Sequence, residues 1–309
     1  MIYTVTLNPA LDRTLYVESL QVQESNRIQR EERYSGGKGI DVSRALLEMG
    51  TPNVALGFVG GFDGKEFEGR LLLDGVACRF TKIAGETRTN IIVQDESNHT
   101  ETALLARGPE VQPNELMDFI AMVEELPDME FLVVSGSLPL GLTPEVYCRI
   151  IDIGNDRGAR TLLDTAGPAL RNSLASHPSI IKPNRDELAE LAGHELPDVA
   201  AIVAFCRSLN KTVETILVSL GRDGIVMVTS RQAVHARPPA VEVKNTVGAG
   251  DCAVAGFVHG LATGETVLDA LRRSVAAGTA ATLTPGTGLC RCSDIDTIMP
   301  RVTVEEISG

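Results

Sequence analysis

Short β-branched or apolar runs alternate along this chain with segments of helical period, and most of those runs stop on a polar residue. The runs at 54–59, 131–134, 161–163 and 216–218 are separated by patterns such as Leu116, Ile120 and Val123 after Pro113. Thr143-Pro144 reads as an N-cap followed by proline at the first helical position, with Val146, Ile150 and Ile153 as the inward stripe. Strand and helix in alternation imply an α/β fold, a mostly parallel sheet covered by helices on both faces. Ligand sites of such folds lie at the carboxyl ends of the strands. The residues that stop the apolar runs are therefore the informative ones: Val134 leads into Ser135-Gly-Ser137, Leu163 into Asp164, Ile181 into Lys182-Pro-Asn184 and Val218 into Ser219-Leu-Gly221.

Two stretches break the alternation. Residues 13–35 and 88–105 are extended, alternating and polar, which predicts antiparallel strands outside the parallel sheet, together a small β lid. After Gly248 the chain turns to small residues and long helical runs through Ala281, with no internal repeat or low-complexity linker.

A chain of 309 residues has room for two domains, or for one large α/β domain with an accessory piece. It carries 28 Lys+Arg against 41 Asp+Glu, a formal charge of −13, which argues against a nucleic-acid partner because phosphate backbones recruit basic faces. With 43% apolar and 22% charged residues it has the composition of a globular protein with a buried core. The start, Met1-Ile-Tyr-Thr-Val-Thr-Leu-Asn-Pro, alternates like a strand and has neither a basic leader nor a cleavage site, and no apolar run reaches membrane-spanning length. A cytoplasmic protein with no membrane association is expected. Cys78, Cys148, Cys206, Cys252, Cys290 and Cys292 form no Cys-x-x-Cys pair and no zinc-ligand spacing with histidine, so free, mostly buried thiols are expected.

The most informative stretch is Asn245-Thr-Val-Gly-Ala-Gly-Asp251-Cys-Ala-Val-Ala-Gly. Two glycines before an apolar helical run suggest a tight loop whose N–H groups form an anion hole for a phosphoryl group at a helix start. Asp251 is either an ordinary first-turn acid favoured by the helix dipole or a general base that takes a proton from an attacking hydroxyl. The fragment also matches G-x-G-x-x-A. A dinucleotide fold, however, needs a strand on each side of that motif, and residues 254–283 read as helix followed by helix. A Walker P-loop is excluded, since Lys38 is followed by Gly39 and Lys65 by Glu66.

Ser35-Gly-Gly-Lys38-Gly-Ile-Asp41-Val-Ser-Arg44 is the second glycine cluster. Gly36 and Gly37 let backbone approach a ligand, and Lys38 at a helix start offers a point charge to an anion, although a plain turn before a helix has the same pattern. Arg88 opens a lid strand and could close over that anion as a fork donor, or simply be solvated. Asn184 and Glu187 are three apart at a helix start, where an amide and a carboxylate could hold Mg²⁺ through its waters; a capping box fits the same spacing.

Taken together these motifs resemble the ribokinase-like sugar kinases, the PfkB family, over essentially the whole chain. Both family signatures are present, Gly36-Gly-Lys-Gly-Ile-Asp-Val-Ser-Arg-Ala and Asn245-Thr-Val-Gly-Ala-Gly-Asp-Cys. Thr4-Val-Thr-Leu-Asn-Pro-Ala-Leu-Asp12-Arg, Val134-Ser-Gly-Ser-Leu-Pro and Thr282-Leu-Thr-Pro-Gly-Thr are similar to its 1-phosphofructokinase and tagatose-6-phosphate kinase branch. The resemblance implies a single ribokinase-like domain over 1–309, a three-layer sandwich with a β lid that often dimerises, and MgATP as phosphoryl donor. By position, Asp251 would be the base and Gly248, Ala249 and Gly250 the anion hole. Asp12 would bind sugar hydroxyls, while Gly36, Gly37, Lys38, Asp41, Arg88 and Ser137 would line the site for the sugar and its phosphate. Lys182, Asn184, Ser219, Gly221, Gly224 and Thr246 would contact nucleotide, and Glu187 would bind Mg²⁺ through water. Some relatives also bind K⁺ beside the anion hole, here near Val247 and Gly286.

Asp41 departs from the family, which usually has Asn there. A carboxylate only accepts hydrogen bonds, and beside a sugar phosphate it needs a neutralising cation. Lys38 and Arg44, each three residues away, are the candidates. The expected reaction is ATP-dependent phosphorylation of a ketohexose monophosphate, fructose 1-phosphate first. Tagatose 6-phosphate and fructose 6-phosphate are close alternatives, and an unphosphorylated sugar or nucleoside is the alternative if Asp41 is unpaired.

Overall fold

In the computed structural model, which describes residues 1–284 and 288–307, the chain opens with β1 (Ile2–Thr6), β2 (Ala10–Val17) and β3 (Arg30–Gly36). Next come α1 (Lys38–Glu48), β4 (Asn53–Gly60), α2 (Gly61–Leu73), β5 (Ala77–Ile83), β6 (Arg88–Asp95) and β7 (Thr100–Leu104). The middle runs α3 (Pro113–Glu124), β8 (Phe131–Ser135), α4 (Glu145–Asp156), β9 (Arg160–Asp164), α5 (Gly167–Ser173), β10 (Ile180–Ile181), α6 (Arg185–Ala192), α7 (Val199–Leu209) and β11 (Thr215–Ser219). Then follow β12 (Ile225–Thr229), β13 (Ala233–Arg237), α8 (Ala249–Ala262), α9 (Val267–Ala281), α10 (Cys292–Ile298) and β14 (Thr303–Glu306).

Ten strands form one sheet in the order β14-β13-β12-β11-β10-β9-β8-β1-β4-β5. Neighbours from β11 to β5 are parallel, and β12 to β14 add an antiparallel edge. The chain leaves β1 for β4 and β5, then returns to build β8 to β11 on the other side of β1. Strand order therefore reverses between β1 and β8, which is where an α/β sheet opens a crevice at its carboxyl edge.

Alternate residues along each strand feed opposite faces. Tyr3, Val5, Leu132 and Val134 join one buried cluster with Phe119, Ile120 and Val123 of α3 and Val146, Tyr147 and Ile150 of α4. Ile2, Phe131 and Val133 join another with Val42 and Leu46 of α1, Val254, Phe257 and Val258 of α8 and Leu271 of α9. This makes the three layers, helix, sheet and helix, of a ribokinase-like α/β fold. The small residues after Gly248 have a packing reason: a Cβ on Gly256 would stand 2.8 Å from the Arg273 carbonyl oxygen, so α8 and α9 touch nearly backbone to backbone. The helix after Pro144 begins at Glu145, with Pro144 itself as the cap residue, and its buried stripe runs through Val146, Tyr147, Ile150 and Ile151, leaving Ile153 only half-buried.

The small sheet has the order β3-β2-β6-β7. Its hairpins β2/β3 and β6/β7 are antiparallel as expected, but its central pair, β2 with β6, is parallel. The reason lies in the large sheet. β2 follows β1 and β6 follows β5, and β1 and β5 run in the same direction, so both hairpins leave the same edge along the same heading.

The six cysteines are free, three buried (Cys206, Cys252 and Cys290) and three half-buried. Among the described residues, no helix is long and apolar enough to cross a membrane.

Candidate active site

The crevice beside β8 has a volume of about 430 Å³ and is lined by Lys38, Gly136, Ser137, Thr165, Ala166 and Glu187, among others. Lys38 opens α1, whose cap residue Gly37 has φ 127° and no side-chain cap. Directly before it, a Cβ on Gly36 would strike Oδ2 of Asp12 at 2.1 Å, so the missing side chain makes room for that carboxylate. Asp12 Oδ1 accepts from Asn90 Nδ2 at 2.7 Å. Burial raises the Asp12 carboxyl above the usual range, with Asn90 and Arg88 pulling it back. Ser137 is exposed, and its Oγ accepts from Asn8 Nδ2 at 3.3 Å.

Behind the crevice lies a charged centre. Asp164, at the end of β9 and 1% exposed, accepts Lys38 Nζ on Oδ1 at 3.1 Å, and Lys182 Nζ lies 3.4 Å from the same oxygen. Lys182 follows β10 and is itself buried. A Cβ on Gly250 would stand 3.6 Å from Lys182 Nζ, which sets that ammonium over the first turn of α8. The cap residue of α8, Gly248, has φ 74°, a left-handed conformation suited to glycine, and no side chain caps the helix. The Ala249 amide turns back onto the Thr246 carbonyl at 3.3 Å, so the Gly248, Gly250 and Asp251 amides are the donors this end of α8 offers to an anion, with the helix dipole behind them.

Asp251 sits in that first turn and is buried. Burial pushes its carboxyl well above the ordinary value, Asp41 and Asp164 push it further, and Lys182 and Lys38 pull it down. Asp41 pairs with Arg44 at 3.6 Å, not with Lys38, which is committed to Asp164. Arg44 also holds Asp74 at 3.3 Å. Being shared, it only partly offsets the burial and the nearby Asp12 that push the Asp41 carboxyl up to about 7.

Asn184 and Glu187 form a reciprocal capping box at the start of α6. Asn184 Oδ1 accepts the Glu187 amide and Glu187 Oε2 accepts the Asn184 amide, each at 2.8 Å. The box fixes Glu187 where it lines the crevice, with Oε1 left over. Among the described residues no group of three or more His, Cys, Asp or Glu is placed to hold a metal. This donor set suits a Mg²⁺ ion carried mainly by phosphates and water with one carboxylate nearby, not a protein cage.

Arg88, expected to close over an anion, already serves three backbone carbonyls. Its Nη2 donates to Asn8 O at 2.9 Å, Nη1 to Ala106 O at 2.8 Å and Nε to Pro9 O at 3.4 Å. Three of its five N–H groups therefore tie the first residue of β6 to the β1–β2 link and to the segment after β7. Ser219 lies beside Asn184 through a parallel bridge. Gly221 and Gly224 belong to the tight turn after it, and a Cβ on Gly224 would strike Ala236 O at 2.0 Å, so that glycine serves the β12–β13 packing. Thr246 is exposed on the loop before α8 and donates its amide to Asn245 Oδ1 at 2.6 Å. Val247 is exposed on the same loop; Gly286, the other residue expected near K⁺, lies outside the described residues. Reading strand ends drew attention to Asp164 but gave it no role, and Asn8 inside its motif and Asn90 beside Arg88 carried no signal for their partners.

Comparison with known proteins bears on this arrangement. A family model described as pfkB family carbohydrate kinase matches residues 5–294. The chain is 34% identical over 310 residues to a 1-phosphofructokinase of Borreliella burgdorferi, covering 99% of each. It is 32% identical over 312 residues to a tagatose-6-phosphate kinase of Staphylococcus epidermidis, covering 99% of this chain and 100% of that one. Among solved structures, phosphofructokinase-2 from Escherichia coli in complex with potassium superposes with a TM-score of 0.93 at 30% identity, over 97% of this chain and 98% of that one.

Proposed function

The chain belongs to the pfkB family of carbohydrate kinases, and from that premise we propose that it phosphorylates a ketohexose monophosphate with ATP, fructose 1-phosphate before tagatose 6-phosphate or fructose 6-phosphate. The observation that carries the mechanism is Asp251, a buried carboxylate on the uncapped first turn of α8, with Lys182 over Gly250 beside it.

The acceptor hydroxyl attacks the γ-phosphorus in line. A new O–P bond forms, the bond to the bridging oxygen breaks with its electrons leaving on ADP, and Asp251 takes the hydroxyl proton. The Gly248 and Gly250 amides donate to the oxygens of the transferring group, the Ala249 amide holding the turn through the Thr246 carbonyl, and Lys182 adds a fixed positive charge there. Mg²⁺ would sit near Glu187 and neutralise phosphate charge. A carboxyl raised by burial suits Asp251 as a base, since its proton affinity is then closer to that of its task. On the acceptor side, Asp12 takes sugar hydroxyls, and Gly36, Gly37, Lys38 and Ser137 receive the sugar and its phosphate. Asn184, Ser219, Gly221 and Thr246 face the nucleotide, and Gly224 lets the turn that carries Gly221 pass close to β13. The Asp41–Arg44 pair favours the phosphorylated acceptor over a neutral sugar or nucleoside, because Asp41 is partnered and Lys38 stays in the crevice. We place the contact of a homodimer on the small sheet, whose edge strand β7 is exposed along its whole length, and the enzyme in the cytoplasm.

The test is ADP release with MgATP against fructose 1-phosphate, tagatose 6-phosphate, fructose 6-phosphate, fructose, ribose and adenosine in parallel, with K⁺ present. Turnover confined to a ketohexose phosphate supports the reading, and turnover only with unphosphorylated acceptors overturns it.

A further inference from the structure

We propose that Asp164 is a positioning residue that binds Lys38 and Lys182 into one unit and so sets the spacing between the acceptor and donor halves of the site. The inference rests on the kinase reading above and goes beyond it by giving a role to a residue that reading does not use.

Three observations carry it. One oxygen, Oδ1, serves both ammonium groups, at 3.1 and 3.4 Å, although Lys38 and Lys182 come from separate elements, the start of α1 and just past the end of β10. The carboxylate is 1% exposed, and its Oδ2 has no hydrogen-bond partner among the described residues, so it has no role in a surface network. Its backbone is locked: Asp164 O accepts from the Gly136 amide at 3.0 Å. The Gly136 carbonyl in turn accepts from Thr165 Oγ1 at 2.8 Å and Tyr147 Oη at 3.1 Å. A buried anion on a fixed strand end can hold two flexible lysine chains in one geometry, and a preorganised charge needs little reorganisation when phosphates arrive. The two lysines are not equivalent. Lys182 is 5% exposed and stays with the anion hole, whereas Lys38, 38% exposed, can lean into the crevice while still tethered.

The experiment compares wild type with Asp164→Asn, Lys38→Met, Lys182→Met and the double variants in the kinase assay. Alongside it, the reductively ¹³C-methylated proteins are titrated by NMR. Asp164→Asn is expected to lower kcat/KM by about 100-fold for sugar phosphate and MgATP alike. Adding Lys38→Met or Lys182→Met to it should cost far less than either does alone, since the three act as a unit. The Lys38 titration midpoint should fall by about one pH unit in Asp164→Asn. Independent, multiplying losses, or an unmoved Lys38 midpoint, overturn the inference. If wild type turns over no sugar phosphate, the kinase reading fails, and the Lys38 midpoint still decides the coupling. If Asp164→Asn does not fold, Lys182→Met decides: the Lys38 midpoint rises once the carboxylate serves it alone, and no change overturns the inference.

Discussion

Asp41 and Arg44 stand 3.6 Å apart near the start of α1, yet the pairing does not keep Asp41 an ordinary carboxylate, because Arg44 is shared with Asp74. Asp41 is also the largest charged contributor to the raised carboxyl of Asp251. An ion pair on one helix is thereby linked to the proton affinity of the proposed base on another.

This linkage predicts a pH effect. A base works only when ionised, so turnover falls as pH drops through the Asp251 pKa, and a raised pKa moves that acid limb upward. Asp41→Asn removes one raising charge, so the acid limb of kcat should move to lower pH by about one unit. A pH–rate profile on both proteins checks it, and superimposable limbs would detach Asp41 from Asp251.

A stability prediction follows from the same group. The Asp41 carboxyl holds its proton up to about 7 in the folded chain, against about 3.9 in an unfolded one. The folded state thus binds more protons across that window, and stability falls as pH rises through it. Asp41→Asn should be the more stable protein at pH 8, by a margin of order 2 kcal/mol, with the two converging towards pH 4. Urea unfolding at both pH values measures the difference.

Asp251→Asn keeps the size of the side chain and removes the base. Turnover should drop by about 10³-fold or more while MgATP affinity by calorimetry stays within a few-fold. Survival of activity would place the base elsewhere.

Gly248→Ala tests the turn before α8. The position has φ 74°, and a Cβ would meet Leu289 Cδ2 at 2.7 Å. The strain is expected to cost about 1–3 kcal/mol and to lower kcat more than it raises the KM for sugar.

Arg88→Met should loosen the small sheet. Losing donors to the carbonyls of Asn8, Pro9 and Ala106 exposes the segment after β7, so limited proteolysis near residues 104–108 should speed up and the KM for sugar should rise. An unchanged digestion rate would mean that β2–β6 pairing alone holds the sheet.

Much of this was legible from periodicity, because parallel strands buried on both faces write continuous apolar runs and stop at the functional edge. The ends of β8 to β11 were readable that way, and so were the two helices after Gly248. Partnerships were not. Lys38 and Asp164 are 126 residues apart, and charge type names no partner at that range. Spacing allowed Asp41 either Lys38 or Arg44, and only the competing pull of Asp164 on Lys38 separates them. Asn184 and Glu187 could be read as cap or as ligand, and the cap geometry itself leaves one carboxylate oxygen spare. The carbonyl partners of Arg88 were unreadable for a plain reason: backbone carbonyls, which every residue carries, leave no trace in a sequence. The parallel β2–β6 pair was missed because strand direction is inherited from β1 and β5, far outside the local pattern.

Four separate crossings of the chain join the small sheet to the large one: residues 7–9, Gly37, residues 84–87 and residues 105–112. A plate on four legs cannot swivel about any one of them. Whatever angle the small sheet adopts, both of its hairpins must pitch together, and Asp12 on β2 is carried through that arc past Lys38, which opens α1 and is held by Asp164 of the large sheet.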